Sequence, residues 1–313
     1  MSSLSKSSAA TPEGAHAGML LWALIVGLSF PAVTLLSDGL PPLLLTAIRF
    51  AIAAAAMAVV IRGARDRWPG GRGLALYGVM GLCLAGFFGA MFWAAHQVTA
   101  LSMATLYVSV PLLAYGLGRL FGVERRNGGL VASLLLGAGG ALALAWVGAG
   151  GAAGGLDFGL AEGLFFLGCG ASALYPVLSK WGLERGWLSD SAALRTFWSL
   201  AVGGVLIGLL GLAVEPVQAL SRITAADLLL VAYLGVFSSG VTFWLMQRGA
   251  AVLTPGTVTA YTYLVPFLSM LILFATDPAT IGWQWLPGSA AVVLAIASLL
   301  RRPRGRPALT PTP

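Results

Sequence analysis

"LALYGVMGLCLAGFFGAMFWAAHQVTALSMATLYVSVPLLAYGLGRLF", Leu74 to Phe121, runs almost without a charge. As one helix it would extend roughly 70 Å at 1.5 Å per residue, more than twice a hydrocarbon core of roughly 30 Å. The chain therefore has to turn inside it, and the polar residues His96, Gln97 and Thr99 mark the corner. The segment beyond that corner carries Thr99, Ser102, Thr105, Tyr107, Ser109 and Pro111. A wall facing lipid needs neither the hydroxyls nor the helix-disrupting proline.

The same length rule organises the rest of the chain. Hydrophobic residues make up 58% of 313 positions, charged residues 9%, and the mean hydropathy is +0.89. Soluble domains are typically about 25% charged, so lipid is the solvent here. Ten spans are expected, near 17–37, 41–62, 74–96, 99–120, 128–147, 158–180, 189–213, 226–247, 256–276 and 283–300. The long stretch from Asp227 to Thr276 is divided at Arg248 and at "LTPG", Leu253 to Gly256, because proline and glycine favour turns and helix starts. Residues 1–16 lack a signal-peptide pattern and are expected to be a disordered tail, as is the basic, proline-rich 301–313.

Charge orients the bundle. Arg62, Arg65, Arg67 and Arg72 follow the second span, and Arg119, Arg125 and Arg126 the fourth. Lys180 and Arg185 follow the sixth, Arg248 the eighth, and Arg301, Arg302, Arg304 and Arg306 the tenth. All fall on one side with Lys6, against Arg222 alone on the other. By the positive-inside rule both termini face the cytoplasm, and a bacterial inner membrane is the expected location. The net charge of +7 follows from this topology, so no nucleic-acid partner is implied.

Two arginines remain, Arg49 in the second span and Arg195 in the seventh. Charges at such depth either serve as hydrogen-bonding posts, snorkel to the interface, or face a water-filled path. They also reveal a repeat. "AIRFA" (Ala47–Ala51) resembles "LRTFW" (Leu194–Trp198), and "LSFPAVTLL" (Leu28–Leu36) resembles "ALYPVLSKW" (Ala173–Trp181), pairing Pro31 with Pro176. "LYVSVPLL" (Leu106–Leu113) resembles "YTYLVPFL" (Tyr261–Leu268), pairing Pro111 with Pro266. Residues 17–147 thus form one five-helix unit and 158–300 a second, joined by a glycine-rich linker over 148–157. Five is odd, so the second unit enters from the opposite side. The expected fold is an all-α integral membrane protein of two inverted five-helix repeats around a central cavity, an arrangement typical of secondary transporters. The prolines Pro31, Pro111, Pro176 and Pro266 and the arginines Arg49 and Arg195 are candidate structural or gating residues.

Arg49, "ALSMATLYVSVPLL", the acid in "GVERRNGG" and the weaker second copy together resemble the EamA family of the drug/metabolite transporter superfamily. The resemblance spans roughly residues 18–300, and within the family it is most like the bacterial aromatic amino acid exporters of the YddG type. It implies a ten-helix basket with a cavity lined by helices 1, 3, 4, 6, 8 and 9. Glu124 matches the family's glutamate after span four. The second copy offers only Asp277, two residues closer to its proline, and takes no role from the resemblance.

On those helices the candidate substrate path comprises Trp22, Ser29, Phe88, Phe92, Trp93, His96, Gln97, Ser102, Tyr107, Tyr175, Ser239, Phe243, Trp244, Gln247, Tyr261 and Tyr263. Aromatic faces with amide and hydroxyl companions suit a zwitterion with an apolar side chain; the same aromatics also serve as packing or interfacial anchors. Ser239, Phe243 and Gln247 recur every four residues and are expected to share one face. There is no GxxxxGK[ST] for ATP, and Cys83 and Cys169 have no metal-ligand spacing, so neither a cofactor nor a metal is expected. Glu162, near the outer end of span six, is the one acid beyond the first two residues of an expected span, which favours a facilitator or exchanger over a proton pump. A small metabolite and the bilayer are the expected partners, with a monomer compatible with the fold. Other readings stay open, a carrier of other metabolites or drugs and a structural membrane scaffold among them, although a scaffold leaves the polar matched spans unexplained. A carrier of nucleotide sugars would need more interior cations than Arg49 and Arg195. An intramembrane serine hydrolase would rest on "GASA" (Gly170–Ala173) and His96.

Overall fold

The computed structural model describes residues 11–64, 67–151 and 159–301. Among these residues there is no strand, and ten helices are long and apolar enough to cross a membrane. They are α1 (Pro12–Thr34), α2 (Pro42–Val60), α3 (Gly71–Ala94), α4 (Ala100–Leu120), α5 (Gly128–Gly148), α6 (Leu160–Glu184), α7 (Ala192–Val214), α8 (Ala225–Val252), α9 (Pro255–Thr276) and α10 (Trp283–Leu300). Ten crossings return the chain to the side on which it began. We call that the terminus side, and the opposite one the far side.

The corner in the long apolar stretch forms where the polar residues sit. α3 ends at Ala94, and Thr99 caps α4 by accepting from the Ser102 amide at 3.1 Å. The second long stretch breaks after Val252, and Pro255 opens α9. One boundary differs from the sequence expectation. Residues 12–16 are not a tail: α1 starts at Pro12, with the Thr11 hydroxyl accepting from the Gly14 amide at 3.2 Å. Residues 149–151 form a turn after α5; the rest of the expected linker, and the C-terminal tail beyond Arg301, lie outside the described residues.

Packing follows the repeat. α2 packs on α7 and α5 on α10, each helix on its own counterpart. The α3–α6 contact is matched by α8–α1, α3–α7 by α8–α2, and α4–α6 by α9–α1. Exchanging the two sets of five therefore maps these contacts onto one another. Without water between helices, close approach of small residues supplies much of the association. At the α5–α10 crossing a Cβ on Gly140 would lie 2.8 Å from the Gly288 carbonyl oxygen, so only glycine fits.

Candidate functional site

A proline inside a helix has no N–H to donate and crowds the carbonyl four residues before it. Pro111, Pro176 and Pro266 therefore leave the carbonyls of Tyr107, Ser172 and Thr262 without their i+4 donors. The helices respond locally. α4 is interrupted at Val108–Ser109, between segments Ala100–Tyr107 and Val110–Leu120. α9 tightens to a 3₁₀ turn over Tyr261–Tyr263 before continuing from Leu264.

Tyr107, Ser172 and Thr262 all line one cavity, where α1, α4, α6, α8 and α9 meet. Trp22, Pro176 and Thr259 complete its polar and aromatic wall, and Val110, Met246 and Val258 its apolar one. It encloses about 30 Å³, room for about two waters. Tyr107, Ser172 and Thr262, whose carbonyls lack an i+4 donor, and the hydroxyl-bearing Thr259 meet there beside the Trp22 indole. Such a wall accepts hydrogen bonds and stacks on a flat ring.

Of the sequence candidates, Trp22, Tyr107 and Pro176 reach this cavity. Thr262, Val258 and Met246 are not singled out by sequence, although Pro266 four residues after Thr262 is a readable sign. Ser172 lines the cavity while His96 is exposed beyond the end of α3, so the pair needed for a serine hydrolase is not assembled.

Other candidates serve packing networks in this arrangement. Gln247 and Tyr175 join Arg195 in a closed circuit. Arg195 donates from Nε to Gln247 Oε1 (3.0 Å), from Nη2 to the Gln247 carbonyl (2.7 Å) and from Nη1 to the Ser189 carbonyl (2.5 Å). Ser179 donates to the same Gln247 Oε1, and Gln247 Nε2 donates to the Tyr175 hydroxyl at 2.8 Å. Tyr175 meets Ser199, which donates back to the Arg195 carbonyl. The Tyr261 hydroxyl pairs with His16 Nδ1 at 2.6 Å, and Tyr263 donates to the Val108 carbonyl at the α4 break. Both tyrosine side chains are buried.

Phe92, Phe88, Phe50, Phe243 and Tyr175 form a continuous run of ring contacts, with Phe87 linking Phe88 to Tyr107. Ser239 accepts from Arg49, and Trp244 lies under the Arg248 guanidinium. Ser29 donates to the Ile25 carbonyl, and Ser102 sits in the Thr99 cap. Trp93, His96 and Gln97 are exposed at the far-side end of α3, and Pro31 is exposed within α1. Glu162 is engaged as the cap of α6, accepting from the Gly159 amide at 2.9 Å. No group of three or more His, Cys, Asp or Glu is placed to hold a metal among the described residues.

The seam between α4 and α9 is closed on one side only. On the terminus side the second half of α4 packs on the first half of α9, and Glu124 accepts from the Gly256 amide at 3.0 Å. On the same side Lys180 of α6 donates to the Ala251 carbonyl of α8. On the far side the first half of α4 and the last half of α9 are not packed in this way, and Asp277 accepts from Ala279 in its own turn. There Asp227 instead holds Ser37 and Thr224, and Glu215 accepts from the Leu43 and Leu44 amides at the start of α2.

Residues 15–146, which span α1 to α5, match the EamA-like transporter family. That family consists of membrane transporters of small substrates. No curated protein matches the chain. Among solved structures 28 chains match; one crystal structure aligns with a TM-score of 0.73 over 94% of this chain and 96% of the other, at 22% sequence identity. At that identity the likeness is one of fold.

Proposed function

We propose that this chain is a secondary transporter of small metabolites, amino acids foremost and aromatic ones among them, working by alternating access between its two repeats. The observation that carries the substrate class is the central cavity. It is lined by Tyr107, Ser172 and Thr262, whose hydroxyls and i+4-unpaired carbonyls suit an ammonium group, and by Trp22 and Tyr107, whose rings suit an aromatic side chain. At about 30 Å³ the cavity must widen to admit an amino acid, as expected of a site between moving repeats. The one-sided α4–α9 seam supports the same motion.

With both termini in the cytoplasm of a bacterial inner membrane, the closed end of the seam faces the cytoplasm; the clustering of arginine on that side supports this orientation. Glu162 acts as a cap, so the interior offers little for proton relay, which favours facilitated export or exchange. A nucleotide-sugar carrier is disfavoured because Arg195 is fully engaged, leaving too little positive charge inside for a phosphate pair.

Counterflow in proteoliposomes tests the proposal. Vesicles preloaded with unlabelled Trp, Phe, Thr, Ala or UDP-glucose are given labelled tryptophan, with and without a pH gradient. Uptake driven by Trp and Phe and indifferent to pH is the expected result. Absence of uptake with every amino acid overturns the substrate assignment.

A further inference from the structure

The repeat supplies its own comparison, because Arg49 of α2 and Arg195 of its counterpart α7 are both arginines inside spanning helices yet have opposite surroundings. Arg195 is fully buried, and its Nε, Nη1 and Nη2 all donate to protein acceptors. Arg49 donates from Nη2 alone, to Ser238 Oγ at 3.2 Å and Ser239 Oγ at 3.4 Å. Both are neutral hydroxyls at the long end of hydrogen bonding. Its Nε is buried and has no acceptor, and no carboxylate lies within 4 Å of it among the described residues. A guanidinium at this depth is normally paired, since an unpaired buried charge is costly.

Arg49 points into the bundle. On α2 it shares a face with Thr46, Phe50 and Ala53, all buried, whereas Ala51, Ala55 and Val59 are exposed on the opposite side. Arg49 is nevertheless only partly buried, as are Ser238, its hydrogen-bond partner, and Phe88 and Phe243. Phe50 links them, with ring centres 5.5 Å from Phe88 and 5.7 Å from Phe243. Along α8, Phe243 lies one turn beyond Ser239, and Met246 of the central cavity is about 10 Å beyond Ser239 at 1.5 Å per residue. A cation with open donors thus stands, through its chain neighbour Phe50, beside the middle of a run of rings that reaches the cavity by way of Phe88, Phe87 and Tyr107.

We propose that Arg49, steadied by Ser238 and Ser239, binds the carboxylate of the transported solute while its apolar body lies along Phe88 and Phe243. One guanidinium with two hydroxyls matches a monocarboxylate in charge and geometry. A phosphate dianion would call for further cations. The substrate class is an amphipathic organic monocarboxylate, amino acids included. This assignment rests on the transporter reading, and it names the anchor on the route to the cavity.

The test uses the full chain purified in detergent. Binding of 3-phenylpropionate and L-phenylalanine is followed by thermal shift and compared with that of their uncharged-carboxyl counterparts, 3-phenylpropanamide and L-phenylalaninamide. The acids are expected to bind and the amides not. Arg49→Gln should weaken acid binding by about 10- to 100-fold with an unchanged ligand-free melting temperature, and Arg49→Lys should restore part of it. Should Arg49→Gln fail to fold, Arg49→Lys and Ser238→Ala/Ser239→Ala decide, each expected to weaken the acids several-fold. Equal binding of acids and amides, acid binding insensitive to these variants, or no acid binding by the native chain overturns the anchor. If 3-phenylpropionate binds through Arg49 while no amino acid drives counterflow, the amino acid assignment falls and the anchor stands. If counterflow is the same in native and Arg49→Gln vesicles, the reverse holds.

Discussion

Glu124 Oε2 accepts a hydrogen bond from the Gly256 amide at 3.0 Å, so the acid that follows α4 caps the first turn of α9. A carboxylate at a helix N-terminus meets unsatisfied amides and the positive end of the dipole. The repeat would place Asp277 in the mirror position at the start of α4. It stands two residues closer to its proline and bonds only within its own turn.

Glu124 is therefore expected to latch the terminus-side seam. Glu124→Ala should cost about 1–2 kcal/mol in stability, as loss of a helix cap does. It should also speed maleimide labelling of a cysteine placed at Val258. Unchanged labelling would show that packing alone holds the seam.

Removing an acceptor from the Arg195 circuit has a different signature. Gln247→Ala leaves the buried Arg195 Nε and Ser179 hydroxyl without their acceptor and the Tyr175 hydroxyl without its Gln247 donor, at about 1–3 kcal/mol for each group left unpaired. The expected outcome is a large fall in unfolding temperature and folded yield, with the apparent substrate affinity of surviving protein little changed. A variant that folds normally but loses affinity would move Gln247 back into the substrate path.

Pro176→Ala restores an amide facing the Ser172 carbonyl, giving α6 a hydrogen bond and taking an acceptor from the cavity. Unfolding temperature should rise while counterflow falls. Tyr107→Ala and Trp22→Ala should likewise lower flux in a folded protein. Flux unaffected in all three variants would remove the cavity from the route.

At the α5–α10 crossing, Gly140→Ala puts a methyl 2.8 Å from both the Gly288 carbonyl oxygen and the Val292 amide nitrogen. Neither backbone atom can yield without shifting a helix. A loss of about 1–3 kcal/mol is expected from such overpacking, read as a lower melting temperature. Gly139→Ala, facing open space one position away, is the control that should not show it.

Span number and corners were legible because they follow from length, charge and turn chemistry, all local to the chain. The polar corner at His96–Thr99 and the Pro255 start needed no knowledge of neighbours. The start of α1 was obscured because hydropathy set it at 17, although the Thr11–Pro12 cap was readable. The site was less legible, because a polar residue on a lining helix does not announce which way it turns. Ser239, Phe243 and Gln247 illustrate this. Spacing by four predicts one face, yet Ser239 meets Arg49 of α2 while Gln247 meets Arg195 of α7. The reason is that a spacing of four drifts about 40° per step in an α-helix and eight residues climb about 12 Å, so Ser239 and Gln247 face different neighbours, Ser239 from within a π-helical segment over Leu234–Val241.

That segment bears on how α8 can turn. Asp227 fastens one end of the helix to Ser37, and Gln247 fastens the other to Arg195. A regular α-helix pinned at both ends cannot rotate in the middle without dragging one pin loose. A π turn holds a surplus residue, and moving it along by one position exchanges one long-spaced hydrogen bond for one ordinary one while rotating the residue it passes by about 100°. The wide turn is thus slack in a tethered rod, and Ser238 and Ser239, the two hydroxyls that hold Arg49, lie within it.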